Sequence, residues 1–178
     1  CFRKFCASQV WRVFGCVSCV SLTLTHLPAR FGQLEQVDLG DSSVGPVLMR
    51  ALEEWHLPHL RELRLDNVSL SDEFATSEFW SLLLTPSRWS IAFLDCSNNQ
   101  LGDISAHHIA QQLVGNTHLR TLLLDANLFT PTGQLILLLG LKQNATLRTL
   151  SLSGMSASSS GKVQRRAPNP LEFVRSLS

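Results

Sequence analysis

The sequence lacks an excess of charge of either sign, since 15 Lys and Arg residues stand against 14 Asp and Glu residues and the formal net charge is +1. Nucleic-acid-binding domains and polybasic membrane anchors concentrate basic residues, so neither nucleic acid nor a membrane is an expected partner. The chain has 178 residues, 44% of them hydrophobic, which suffices for the core of one domain. It begins with Cys1 rather than Met, which favours a fragment or a processed piece.

A long uninterrupted apolar run is also missing. The most apolar stretch, residues 10–24, contains Arg12 and several Ser and Thr residues, whereas a membrane-spanning helix needs about 20 predominantly apolar residues. Arg3 and Lys4 before this stretch give it a weak likeness to a secretory signal peptide. We favour the alternative, in which residues 1–33 form an irregular N-terminal edge.

Cysteine pairs that would indicate a disulfide framework are absent. The count is odd, and four of the five cysteines fall before residue 20, so a reducing, cytoplasmic compartment is predicted. Cys16 and Cys19 have the spacing of metal ligands, but no second pair follows, and a structural zinc needs four ligands. His107 and His108 are adjacent on a predicted helix and point apart, so they cannot chelate one ion. No metal is expected.

Motifs of catalysis are missing too. The sequence has no strained turn of the kind that exposes a catalytic serine and no phosphate-binding loop. We therefore expect no enzyme activity, no cofactor and no small-molecule substrate.

The sequence does contain a repeat, which the spacing of its leucines and other apolar residues indicates. The pattern L-x-x-L-x-L-x-x-N-x-L, with apolar substitutes, fits five times, starting at Leu34, Leu60, Ile91, Leu119 and Leu147. The starts are separated by 26, 31, 28 and 28 residues, a period at the long end of the range for leucine-rich repeats. We call these copies units one to five, and they cover residues 34–157.

Each unit should form a strand, a turn and a helix. Side chains alternate along a strand, so the pattern leucines form a buried row, and Cys96, which replaces one, packs as a small hydrophobe. Apolar spacing predicts helices over 45–55, 79–84, 105–114 and 134–141. The last is apolar nearly all round, which predicts burial between neighbours. The predicted fold class is α/β: a leucine-rich-repeat solenoid (horseshoe) with parallel β-strands on the concave face and α-helices on the convex face.

The asparagine position of the pattern has a structural role. Asn99 and Asn127 can satisfy backbone groups at the turn that leaves each strand, and Ser42 can do so weakly. Val68 and Met155 cannot, so we expect imperfect hydrogen bonding in units two and five.

The outward strand positions form the predicted partner-binding surface. Neighbouring parallel strands lie about 4.8 Å apart, so Asp38, Arg64 and Asp95 should share one column. An acidic field around the apolar Phe93 and Leu123 suits a basic protein partner on the concave face; the alternative is a solvated face with incidental apolar residues. The candidate residues are Asp38, Glu62, Arg64, Asp66, Phe93, Asp95, Leu123 and Asp125.

The C-terminal residues 158–178 are predicted to be a polar linker followed by a capping helix. Ser, Gly and basic residues come first, and then Asn169 and Pro170 give a helix start signal. The apolar residues that follow are Leu171, Phe173, Val174 and Leu177.

Residues 94–103 (LDCSNNQLGD) and 142–148 (KQNATLR) resemble ribonuclease-inhibitor-type repeats. Within that class the chain is similar to the CARMIL family, which links capping protein and myosin I, although Leu124 stands where that family has Trp. The positions that match its final repeats are Leu119, Arg120, Asp125, Asn127, Gly133, Leu141, Asn144 and Leu147.

The resemblance implies a protein–protein interaction scaffold in an actin-assembly regulator. Two alternatives stay open: the ligand-recognition repeats of an innate immune receptor or inhibitor, and a Ran-type GTPase activator.

Overall fold

The computed structural model describes residues 3–7, 10–14, 33–55, 57–85 and 89–154, with the backbone alone for the first two segments. Cys16, Cys19, Met155 and the predicted capping helix lie outside the described residues. Within them the chain is an α/β protein built on one sheet of seven strands.

The strands follow one another in the sheet in chain order, from β1 to β7. The first two are antiparallel, and each later strand runs parallel to the one before it. Their bounds are Arg3–Ala7 (β1), Val10–Phe14 (β2), Gln36–Asp38 (β3), Glu62–Arg64 (β4), Phe93–Asp95 (β5), Thr121–Leu123 (β6) and Thr149–Ser151 (β7).

In the described residues four helices alternate with the later strands: α1 (Gly45–Glu54), α2 (Ser77–Leu84), α3 (Asp103–Gly115) and α4 (Pro131–Leu141). The sequence predicted all four, and three of them, α2, α3 and α4, begin two or three residues earlier than expected. The start of α4 is set by Thr130, whose hydroxyl accepts a hydrogen bond from the Thr132 N–H, and by a proline in the first helical position. α3 begins at Asp103, whose carboxylate lies favourably in the first turn.

The register confirms the buried row expected from the repeat pattern. Val37, Leu63, Leu94, Leu122 and Leu150 lie opposite one another on successive strands, and all are at most 3% exposed. Because the helices pack in sequence order onto the same core, every unit is held mainly by its neighbours. Gly140 of α4 lies so close to α3 that an added Cβ would meet Ala110 at 2.8 Å.

The N-terminal segment differs from the irregular edge that we expected. Its described residues form two strands, β1 and β2, and β2 pairs with β3 in parallel register. The sequence of β2, VWRVF, is β-branched and aromatic, which favours an extended conformation. The repeat pattern does not extend into this segment, so spacing alone could not reveal these strands.

Asn99 and Asn127 have the structural role predicted for them, and both are buried. The Asn99 amide donates to the carbonyls of Cys96 and Ser97 in its own turn. It also accepts from the Val68 and Leu70 N–H groups at 3.1 and 3.0 Å. The expectation of imperfect bonding in unit two was therefore wrong at Val68, because the asparagine of the following unit satisfies that backbone.

The prediction of burial for the last helix was also wrong in part. Leu135 and Leu139 of α4 are 56% and 51% exposed, whereas Leu137 is fully buried. An all-round apolar helix is buried on every side only if neighbours surround it. Among the described residues α3 is the one helix that contacts α4 extensively.

Candidate functional site

The side chains beside the buried row form two columns across the sheet. We define the strand face as these two columns together with the residues two positions after each strand. The first column is Gln36, Glu62, Phe93, Thr121 and Thr149, and the second is Asp38, Arg64, Asp95, Leu123 and Ser151. The residues after the strands are Gly40, Asp66, Ser97, Asp125 and Ser153.

The second column places Asp38, Arg64 and Asp95 side by side, as the sequence predicted. Arg64 is exposed and both aspartates are half-buried. The strand register thus places one cation between two carboxylates on neighbouring strands, and opposite charges at such positions attract one another.

Phe93 is not the bare apolar group that sequence reasoning assumed. The guanidinium carbon of Arg64 lies 5.1 Å from the centre of the Phe93 ring, within the range of a cation–π contact. The ring is half-buried. A partner that binds Phe93 must either displace Arg64 or contact both side chains together.

Asp66 lies over Gly40, and this contact concentrates negative charge. A Cβ added to Gly40 would come within 2.7 Å of Asp66 Oδ1, so the Asp66 carboxylate would have to shift to make room for any larger residue there. Burial raises the pKa of Asp66, and the neighbouring carboxylates of Asp95, Asp38 and Asp41 raise it further. These three carboxylates thus lie near enough to Asp66 to contribute to the rise in its pKa, after burial. We call Asp38, Asp41, Asp66 and Asp95 the acidic cluster.

Asp41 was missed in the sequence reasoning because it lies three positions after its strand. Its φ is positive, at 56°. The residues at the corresponding places after β4, β5 and β6 also have positive φ, between 52° and 56°: Asn67, Asn98 and Ala126. Asp and Asn adopt this left-handed conformation more readily than other side chains. The recurrence of Asp or Asn at that position was the available signal. Here the Asn67 amide donates to Asp41 Oδ1 at 2.8 Å.

Asp125 is separate from the acidic cluster, although the sequence grouped it with the same surface. Its Oδ1 accepts from the Ser151 hydroxyl at 2.7 Å and also from the Ser153 N–H. It therefore ties the turn after β6 to the end of β7 and to the chain that follows it. Leu123, half-buried in the second column, lies between Asp95 and Ser151. Glu62 pairs with Gln36 and Phe93 in the first column.

Other groups that could carry chemistry are few in the part of the chain that the structure describes. Cys96 is fully buried and unpaired, and burial raises the pKa of its thiol well above the usual value, so it packs as an inert side chain. No group of three His, Cys, Asp or Glu residues there could hold a metal ion.

An open cavity of about 520 Å³ lies between α1, α2 and α3. Its lining is mixed: Met49, Glu53, Ser77, Glu78, Ser81, Leu82, Thr85, Gln111 and Gln112. Small-molecule sites are mostly apolar and enclosed, so this surface is a weaker candidate than the strand face. Among the helices of the described residues none is long and apolar enough to cross a membrane.

No family model matches this chain, and no curated protein matches it.

Proposed function

We propose that this chain is a leucine-rich-repeat solenoid that holds another protein on its strand face and does no chemistry of its own. The fold proposal is supported by five copies of one pattern whose strand-centre residues lie in register in one buried row. In such a solenoid the strands line the concave surface and the helices lie outside.

The observation that carries the binding proposal is the neighbourhood of Phe93. A half-buried aromatic ring lies under Arg64, and two residues of the acidic cluster, Asp38 and Asp95, lie beside Arg64 on the neighbouring strands. Aromatic residues and arginine dominate the energy of protein interfaces, and complementary charge selects the partner and speeds association. The fitting partner is a protein segment that carries basic residues beside an apolar side chain.

Within the leucine-rich-repeat class we propose a cytoplasmic scaffold similar to the repeats of CARMIL-type actin-assembly regulators. The sequences LDCSNNQLGD and KQNATLR support the class. An immune-receptor array and a Ran-type GTPase activator are the rival proposals. Capture of actin regulators favours the first proposal, and stimulated GTP hydrolysis by Ran favours the activator.

The test is a pull-down from cell lysate with quantitative mass spectrometry. The wild-type chain is compared with a Phe93→Asp/Leu123→Asp variant and with Ile104→Asp as the matched control. Ile104 is 61% exposed on α3, away from the strand face, so the control adds the same kind of charge elsewhere. We expect the strand-face variant to lose specific partners by at least about tenfold, while the control retains them.

Identical partner lists for all three proteins would eliminate the strand face as a binding site. Circular dichroism of the strand-face variant checks that the loss is not unfolding. If Phe93→Asp alone unfolds the chain, Phe93 belongs to the core and the assigned surface is wrong.

A further inference from the structure

The row of helices is interrupted at unit two. α2 begins 15 residues after the first residue of β4, whereas α1, α3 and α4 begin 9 or 10 residues after the first residues of their strands. α2 is also the shortest of these four helices, with eight residues, and α1 contacts α2 much less extensively than α3 contacts α4. The open cavity of about 520 Å³ lies at this interruption. We call this cavity the helix groove.

The outer side of α2 forms the floor of the helix groove. The α2 residues that line the groove recur at helical spacing: Ser77, Glu78, Ser81, Leu82 and Thr85. The buried residues of α2 lie on its other side: Phe79, Trp80, Leu83 and Leu84. α1 and α3 contribute the remaining lining residues, so these two helices form the walls. α2 is about 12 Å long, which is the length of roughly four residues of extended chain.

The lining combines apolar side chains with hydrogen-bonding groups. Met49 on one wall and Leu82 on the floor are half-buried, and both pack against the core from outside it. Methionine adapts its shape to different apolar side chains. On the other wall Gln112 Oε1 accepts from the Thr85 hydroxyl at 3.3 Å, which leaves the two amide hydrogens of Gln112 as donors for a peptide carbonyl.

The two charged residues that line the groove in the described part of the chain are both acidic. They are Glu53 on α1 and Glu78 on α2, and both are exposed. The backbone N–H of Glu78 and the side chains of Thr76 and Ser77 hydrogen-bond to the Glu78 carboxylate and lower its pKa. Glu78 is therefore a carboxylate at neutral pH, and the charge that complements it is a cation.

We propose that the helix groove is a second binding surface, which holds an extended segment of another protein with a Lys or Arg two residues away from a Leu, Ile or Met. Glu78 and Leu82 lie one helical turn apart, and such side chains are about 5–6 Å apart. Residues two apart in an extended chain are about 6.6 Å apart and point to the same side. One segment can therefore place its cation at Glu78 and its apolar side chain against Leu82 and Met49.

This proposal is independent of the proposed function, because the groove lies on the outer side of α2 and the strand face lies on the far side of the sheet. A chain with both surfaces occupied connects two proteins.

The experiment begins with a phage library of random 12-residue peptides, selected against the full wild-type chain. Enriched peptides are synthesised, and fluorescence anisotropy measures their Kd for the wild type, for Glu78→Lys and for the control Glu73→Lys. Glu73 is exposed in the same unit but does not line the groove. We expect enriched peptides to share a basic residue two positions from an apolar one. Glu78→Lys should weaken their binding at least about tenfold, and the control should match the wild type.

A second pair of variants tests the space and not the charge. Ser81→Trp fills the floor of the groove and should abolish binding of the same peptides, whereas Ser81→Ala should preserve it. Circular dichroism checks that each variant is folded.

Three outcomes overturn the proposal: no enriched peptide, enriched peptides that lack a basic residue, or equal binding to the wild type, Glu78→Lys and Ser81→Trp. Peptides lost only in the Phe93→Asp/Leu123→Asp variant bind the strand face. That result contradicts the groove as a binding surface while it supports the proposed function.

Discussion

The two halves of the strand face share one backbone arrangement and carry different chemistry. The N-terminal half, on β3 to β5, bears the acidic cluster together with Arg64 and Phe93. The C-terminal half, on β6 and β7, bears neutral side chains in both columns, and its aspartate, Asp125, is engaged in hydrogen bonds to the chain around β7.

The buried row shows no such difference, because it contains leucine in four strands and valine in one. The sequence at strand centres is thus determined by the core, and the positions beside them are free to vary. The contrast between the halves teaches that the same strand arrangement accommodates either charged or neutral side chains in the two columns. Its concentration in one half is the physical basis for the binding proposal.

The largest expected effect tests whether the two halves share one core. Leu94→Ala in the N-terminal half and Leu122→Ala in the C-terminal half each remove a fully buried side chain, and each should lower the free energy of unfolding by about 2–5 kcal/mol. Urea denaturation measures both, with Thr121→Ala on the strand face as a control near zero. If one substitution lowered the free energy of unfolding several times more than the other, the two halves would not share one uniformly packed core.

The sequence was sufficient to predict the features of the fold that depend on the repeat period. The order of the later strands, the buried row and the four helices follow from spacing, because every unit solves the same packing problem. The column of Asp38, Arg64 and Asp95 was predicted for the same reason, since register follows from the buried positions.

Contacts between units could not be predicted from one unit at a time. Asn99 bonds to the backbone of the preceding unit at Val68 and Leu70, Arg64 lies over a ring on the next strand, and Asp66 fills the space above Gly40. Each depends on a side-chain direction and on the size of a neighbour. The repeat pattern specifies neither.

A second prediction concerns the aspartate of the C-terminal half. Asp125→Ala removes the acceptor for the Ser151 hydroxyl and the Ser153 N–H, and should cost about 1–2 kcal/mol of stability. Thermal unfolding provides the measurement, and Ser151→Ala, which deletes only one of the two bonds, should cost less. Unchanged stability of Asp125→Ala would mean that its carboxylate is free for a partner after all.

Asp66, in the N-terminal half, should have the opposite effect on stability from Asp125. Burial and the other carboxylates raise the folded-state pKa of Asp66 above its ordinary value of 3.8, so folding takes up a proton in the interval between the two values. Stability from this group is therefore fully present below pH 3.8 and is lost as the pH rises through the folded-state pKa.

Asp66→Asn removes that loss and should stabilise the chain at pH 7 by less than about 1 kcal/mol, since solvent screens a partly exposed group. Urea denaturation at pH 7 and at about pH 3.5 measures the effect, and the gain should shrink at the lower pH. The matched control is Asp125→Asn, for which no gain is expected. Destabilisation by Asp66→Asn at pH 7 would contradict mutual repulsion within the acidic cluster.

The smallest expected effect is the coupling between Arg64 and Phe93. Replacing Arg64 with Gln removes the cation over the ring, and replacing Phe93 with Leu removes the ring while keeping an apolar side chain. A double-mutant cycle should give a coupling free energy of about 0.5–1 kcal/mol. The same cycle on Arg64 and Leu123, which do not lie on adjacent strands, should give none.

Because a bound partner must displace Arg64 or contact both side chains, the Arg64→Gln variant also separates these two modes of binding. Tighter partner binding by that variant indicates displacement, and weaker binding indicates that Arg64 and Phe93 are contacted together.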